Sequence, residues 1–194
     1  MSKTIRVKMN VASPKRLSRE NWLNAAIREL EEHGIDGVKV VVLAKKLGST
    51  SGSFYWHFKN QPALMAALLE YWEETLTNQF ITRSKAFEGS PEERILSLMI
   101  SVMEQDAASL DHAISVWARR DAKVKEIFER TIQKRIDHAT WMFKKVGFSR
   151  RQAAIRGRLM VAYLMGESST MLKSNRRWKS IVKEEFEVLM AQNV

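Results

Sequence analysis

There is no cysteine among the 194 residues. Disulfides, thiolate metal centres, cysteine nucleophiles and thiol-based redox sensing are therefore excluded, a composition that suits a reducing cytosol. Proline and glycine are scarce, at three and eight residues, so few points in the chain must break a helix. Long apolar runs are missing as well: none exceeds the length of Leu159 to Met165, which falls far short of the roughly 20 residues that a membrane helix needs. The basic start MSKTIRVKMNVASPKR lacks the apolar core of a secretion signal. A soluble, cytoplasmic protein without a membrane partner is expected. The sequence also holds no phosphate loop, no G-x-S-x-G elbow and no histidine pair four residues apart, the patterns that would point to catalysis. His33, His57, His112 and His138 show no metal-ligand spacing, and Glu73-Glu74 and Glu184-Glu185 read as solvated helix faces. No enzyme, no metal and no cofactor are expected.

What is present is positive charge, unevenly placed. Lys plus Arg number 32 against 22 Asp plus Glu, a net charge of +10, and residues 1–60 carry 11 bases against 5 acids. A positive field concentrated in the first third points to a polyanion, with nucleic acid the first candidate. The 45% apolar content suffices for a core, and apolar residues recur at spacings of three and four, so the chain reads as nearly all helix.

Residues 1–16 show no period. Ser18 is an N-cap signal with Glu20 in the first turn, and Trp22, Ala25, Ala26 and Leu30 line one face until Gly34 stops the helix. A second helix runs from about Val40 to Leu47. Its Val-rich segment has strand propensity, but no similar segment nearby could pair with it, whereas Leu43, Ala44 and Leu47 form a helical stripe. Asn60, with Pro62 in the first turn, starts a helix reaching about Arg83, and Ser90-Pro91-Glu92-Glu93 starts another. Further helices are expected near 111–119, 121–146, 150–173 and 178–191, with breaks near Gly147 and at Lys173 to Arg177.

The stretch GSTSGSFYWHFKN, Gly48 to Asn60, follows the second helix through a tight turn. Three short helices within residues 18–58 match the helix-turn-helix plan, whose last helix enters the DNA major groove. At about 100° per residue, Phe54 and Phe58 fall on one side as core anchors, while Gly52 and Trp56 face the opposite way. A bare glycine lets the backbone approach a groove, and an indole one turn later can contact a thymine methyl or the sugars. Tyr55 and His57 project to the two flanks, where they can donate to phosphates, with Lys59 adding charge beyond them. Ser53 is the small polar residue best placed for a base edge, and Thr50 and Ser51 complete the candidate DNA contacts at the start of the helix.

The segment LSRENWLNAAIRELEEHGIDGVKVVVLAKKLGSTSGSFYWHFKNQPALMAALLEYW resembles the DNA-binding region of the tetracycline-repressor-like (TetR/AcrR) family. The match lies in the alanine-rich first helix, the Gly34 stop, Leu43-Ala44, Gly48 and the Gly52, Phe54, Tyr55, His57, Phe58 pattern. It covers about residues 17–72. The resemblance implies an all-α protein: a flexible basic arm at 1–16, a three-helix DNA-binding domain at 17–60 with its helix-turn-helix at about 39–58, a connecting helix at 61–83, and a larger helical effector-binding and dimerisation domain at 84–194. It also places Ser53 and Trp56 nearest the bases and Tyr55 and His57 on phosphate. Two positions depart from the family pattern: Lys39 stands where Ser or Thr usually caps the second helix, and Gln61 where a lysine is common. Uncharged Gln61 cannot pair with a phosphate as that lysine would. Lys59 or the arm, where Lys15 and Arg16 are the nearest bases, can supply the charge instead.

After Pro91 no specific motif appears. Ala154, Gly157, Val161 and Met165 in one helix, and Trp178, Ile181, Phe186 and Leu189 in the next, form stripes that suit either a four-helix interface between two protomers or an ordinary intrachain core. The resemblance favours the homodimer, which would set two recognition helices about one DNA turn apart on a near-palindrome. Met99, Met103, Ile114, Trp117, Phe128, Trp141 and Met142 are candidates to line a pocket for a small apolar or aromatic effector, or else to fill a core. The expected function is a homodimeric, ligand-responsive transcriptional repressor on a double-stranded operator. The alternative is a ligand-independent protein that organises DNA, its C-terminal domain serving only for assembly.

Overall fold

The computed structural model describes residues 17–105, 107–170 and 177–191. Lys15 and Arg16, with the rest of the basic arm, and most of the Lys173 to Arg177 break lie outside the described residues. Among those described there are helices and no strands.

Helix α1 (Arg19–His33) starts at a capping box: Ser18 Oγ accepts from the Asn21 amide, and Asn21 Oδ1 accepts from the Ser18 amide. That pairing satisfies two of the free N–H groups that a helix start leaves. Gly34, at φ 69°, ends α1 in a conformation that favours glycine. A 3-10 turn (Ile35–Gly37) leads to α2 (Val40–Lys46). The β-branched residues there are helical because Leu43 and Ala44 are buried in the core, so tertiary packing overrides strand propensity. Gly48, at φ 60°, makes the turn into α3 (Ser51–Tyr55), which Thr50 caps through Oγ1 to the Ser53 amide.

Helix α4 (Gln61–Glu73), capped by Asn60 Oδ1, passes through a π-helical turn (Glu74–Asn78) into α5 (Gln79–Lys85). The connection expected over 61–83 is therefore one continuous rod with a π turn inside it. Next come α6 (Pro91–Glu104), started by the Ser90–Glu93 capping box, α7 (Ala107–Ala118), α8 (Ala122–Val146), α9 (Arg150–Thr170) and α10 (Trp178–Met190).

Two apolar cores form. The first joins Trp22, Leu30, Leu43, Phe54, Leu64 and Trp72 to Leu110, Ile114 and Trp117 of α7 and Val124 of α8. The second packs Ile95 and Met99 of α6 against Met142 and Phe143 of α8, Met160 of α9, and Val182 and Phe186 of α10. The apolar side chains from Leu110 to Val124 thus include six that belong by packing to the core of the N-terminal helices, namely Leu110, Ala113, Ile114, Trp117, Ala118 and Val124. Gly157 lies where α8 and α9 touch: a Cβ there would come within 2.7 Å of the Thr140 backbone nitrogen.

Candidate functional site

Two aromatic anchors set the direction of α3. Phe54 is fully buried, edge-on to Trp22 of α1 with ring centroids 5.4 Å apart, and Phe58 stacks on Phe54 at 5.6 Å with the Arg19 guanidinium 4.8 Å from its ring centroid. Fixing these two rings leaves the opposite side of the helix no choice but solvent. Trp56 is 83% exposed and Tyr55 60%, while Gly52, Thr50 and Lys59 are exposed and Ser51, Ser53 and His57 half-buried. Added at Gly52, a Cβ would meet nothing nearer than Thr50 Oγ1 at 3.6 Å, so this face is bare backbone flanked by rings. The regular helix ends at Tyr55; Trp56 to Phe58 continue as a turn, in which the His57 and Phe58 amides both donate to the Phe54 carbonyl. An exposed indole and phenol with a satisfied backbone beneath them form a surface for docking rather than for core packing.

Side-chain bridges hold this unit on its scaffold. Lys46 Nζ pairs with Glu29 and, at 3.0 Å, with Glu32, locking α2 to α1. Its hydrogen bond pulls the Glu32 carboxyl below the ordinary range, and the two glutamates raise the Lys46 ammonium. Glu29, Glu32 and His33 are the only metal-type grouping among the described residues, and Lys46 already pairs with both of its carboxylates. Lys39 makes no capping bond at the start of α2. Gln61 Nε2 donates to the Val38 carbonyl at 2.6 Å, so the residue that stands in place of the expected lysine ties α4 to the segment before α2.

A second assembly joins α4 to the C-terminal helices. Asp111 of α7 accepts from Trp72 Nε1 at 2.6 Å and from Arg135 of α8 at 2.7 Å. Arg135 also donates to Thr77 Oγ1 and to the Leu76 carbonyl, and its guanidinium lies over the Trp72 ring. The π turn thus has the Thr77 hydroxyl and the Leu76 carbonyl taken by one arginine from another helix. Beside this clamp lies a cavity of about 60 Å³ whose walls include Thr77, Phe80, Leu98, Arg135, His138 and Met165. His138 is held neutral: burial, then the positive charges of Lys85 and Arg94, push its pKa down to about 4. A larger open groove of about 940 Å³ runs between α4 and the α7–α8 junction, with Met65, Leu69, Trp117 and Ile127 as apolar walls and Glu70, Glu73 and Glu74 among its charges.

Of the seven pocket candidates, Trp117 lines the open groove and none lines the 60 Å³ cavity. Met99, Met103, Met142 and Ile114 are buried in the two cores, Phe128 stacks on Trp72, and Trp141 stacks on His138. The interface candidates divide similarly. Gly157, Val161 and Phe186 are buried within the chain, Met165, Trp178 and Leu189 are half-buried, and Ala154 and Ile181 face out. The outward apolar face of α9 is carried instead by Ile155 and Leu159, with Val188 on α10. The i, i+4 pair of large aliphatics in α9 was the available sequence signal, but α9 is apolar on both sides and its phase could not be read from pattern alone.

Residues 23–68, which run from within α1 into α4, match the family described as bacterial regulatory proteins, tetR family. The chain is TetR/AcrR-like. Over 53 residues it is 49% identical to the tetracycline repressor protein class D of Escherichia coli, covering 27% of this chain and 24% of that one. The chain therefore aligns with about a quarter of the length of the first curated relatives it matches. Similarity of fold extends much further. Reduced E. coli NemR superposes with a TM-score of 0.70 at 16% identity, over 91% of this chain and 99% of that one. The transcriptional regulator FadR from Bacillus subtilis, in complex with stearoyl-CoA, gives 0.67 at 15% identity, over 90% and 98%. The likeness of fold thus covers about nine-tenths of the chain, while the family's sequence pattern is met within residues 23–68. No helix among the described residues is long and apolar enough to cross a membrane.

Proposed function

We propose that this TetR/AcrR-like chain is a cytoplasmic, homodimeric transcriptional repressor that binds a near-palindromic operator and leaves it when a small apolar or aromatic effector binds. It has no enzymatic role. The observation that carries the reading is the outward face of α3, with Gly52, Tyr55 and Trp56 exposed while Phe54 and Phe58 are buried. Ser53 and Trp56 read bases. Tyr55, His57 and Lys59 contact phosphate, Thr50 and Ser51 support them at the start of the helix, and Lys15 and Arg16 reach the backbone or minor groove. Similarity to proteins named as repressors supports the sign of regulation.

The dimer forms through α9 and α10, where Ile155, Leu159, Ile181 and Val188 leave apolar surface exposed on a single protomer. The effector occupies the cavity beside the π turn, and the neighbour that holds stearoyl-CoA supports a ligand within this fold. There it touches Thr77 and Arg135, which brace α4, the helix that carries α3. Its effect on the operator equals its difference in affinity for the DNA-fitting and non-fitting states.

Duplex binding measured across a salt series tests the reading: affinity falls steeply with salt, and a flat response sinks it. Tyr55→Phe and His57→Ala weaken binding to all sequences alike, whereas Ser53→Ala and Trp56→Ala change sequence preference. Four folded variants with unaltered DNA binding would remove α3 from the interface.

A further inference from the structure

Next to the 60 Å³ cavity lies another of about 130 Å³, and Phe80 and Leu98 line both. Their linings differ in kind. The first is mostly aliphatic, and its Arg135 is already neutralised by Asp111. The second gathers Arg83 and Arg94 with the hydroxyls of Ser84, Ser97 and Ser101, and among its described lining residues there is no carboxylate. Arg94 is only partly engaged: one terminal nitrogen donates to the Phe87 carbonyl, while its Nε is buried without a hydrogen-bond partner. A buried donor left unmet is costly, and on a guanidinium it calls for an oxyanion. The field agrees, since Lys85 and Arg94 both act on His138 as positive charges.

We propose that the two cavities form one elongated site for an amphiphile, with an oxyanion head, carboxylate or phosphate, at Arg83, Arg94, Ser97 and Ser101, and an apolar body between Phe80, Leu98 and the α9 side chains. The inference rests on the effector reading above and narrows it from any apolar ligand to an acidic one. Ser84 links the head to the interior: its hydroxyl donates to Met142 Sδ and so accepts from His138 Nε2, and the His138 ring stacks on Trp141, over which Arg94 lies.

The test is calorimetric titration of the full chain, without DNA, using octanoate, octyl phosphate, octanol and octylamine. Octanoate or octyl phosphate binds at least about tenfold more tightly than octanol, a difference of about 1.4 kcal/mol, and octylamine does not compete. Whichever of the two acids binds more tightly identifies the head. Arg94→Gln reduces that preference to near that of octanol and leaves octanol itself unaffected. Arg83→Gln, at an exposed position, weakens the acids in the same direction with no demand on folding. In the wild type, NMR titration shows the His138 pKa rising when the acid is bound, because the head cancels the positive field. Octanol binding as tightly as the acids, no binding by either acid, or full acid affinity in both arginine variants overturns the proposal. Operator release is read separately: an acid that binds at these arginines without releasing DNA upholds the ligand class and refutes the switch.

Discussion

Asp111→Ala removes a buried carboxylate on which two other buried groups depend. The Asp111 side chain is 3% exposed and that of Arg135 14%, so neither charge has much recourse to water. Breaking a buried pair from one side costs about 3–5 kcal/mol, because the surviving charge stays desolvated. The Trp72 N–H loses its acceptor at the same time, and an orphaned buried donor costs about 1–3 kcal/mol. The two penalties overlap, since water admitted by the smaller side chain relieves both. A loss of about 4 kcal/mol is expected, a large part of the roughly 5–15 kcal/mol that holds a typical domain together. Urea unfolding followed by circular dichroism, at fixed protomer concentration, measures it. Asp111→Leu combined with Arg135→Met carries no buried charge and should recover most of the loss. A single-variant cost below about 1 kcal/mol, or a double variant as unstable as the sum of the two singles, would show that the groups do not act as a unit.

His138 gives a pH signature. Its folded pKa of about 4 lies below the ordinary 6.5, so the unfolded chain takes up a proton that the fold refuses. Stability is therefore full above pH 6.5 and declines as pH falls toward 4, by about 1–2 kcal/mol near pH 5. His138→Gln should remove this part of the difference between urea midpoints at neutral and mildly acid pH, and an unchanged difference refutes the assignment. Gly157→Ala drives a methyl toward the Thr140 backbone and should cost about 1–3 kcal/mol, read as a fall in melting temperature; an unchanged value means that α8 and α9 can separate freely. Leu159→Glu places a charge on the exposed face of α9 and should yield folded monomers in sedimentation. Persistent dimers would move the interface elsewhere.

Much of the N-terminal half was legible because its signals are local. Ser18, Asn60 and Ser90 cap helices with residues three positions away, and the inward phase of Phe54 and Phe58 follows from a spacing of four. The second helix required one non-local judgement: its valines lacked a pairing partner, and Leu43 and Ala44 had a core to enter. The π turn at Glu74–Asn78 was not legible. Its Leu76 carbonyl and Thr77 hydroxyl are taken by Arg135, a residue far along the chain that no local pattern connects to them. The outward face of α9 was not legible for a related reason, since Gly157 and Val161 are buried while Ile155 and Leu159 face out, and both faces are apolar. Cavity-lining residues were missed because methionine and aromatic content marks any core; the polar residues Asp111, Arg135 and His138 are what distinguish this one.

Among the polar contacts that tie the N-terminal helices to α7 and α8, two differ in what they can transmit. Arg120, in the turn after α7, reaches Asp36 in the turn after α1, holding its carboxyl below the usual range. Both groups are exposed, so salt screens the pair and their side chains can part at little cost. Coupling between an effector and DNA typically needs about 1–3 kcal/mol, which a screened surface pair does not reliably supply. The clamp of Trp72, Asp111, Arg135 and Thr77 is buried and shared by three helices, and its Arg135 and Thr77 also wall the cavity. A ligand there meets the residues that hold the π turn, where the helical hydrogen-bond register is already irregular and a one-residue adjustment costs least. In the proposed switch, the force on α3 therefore travels through α4 from its π turn, and the Arg120–Asp36 pair fixes where α1 rests without deciding when it moves.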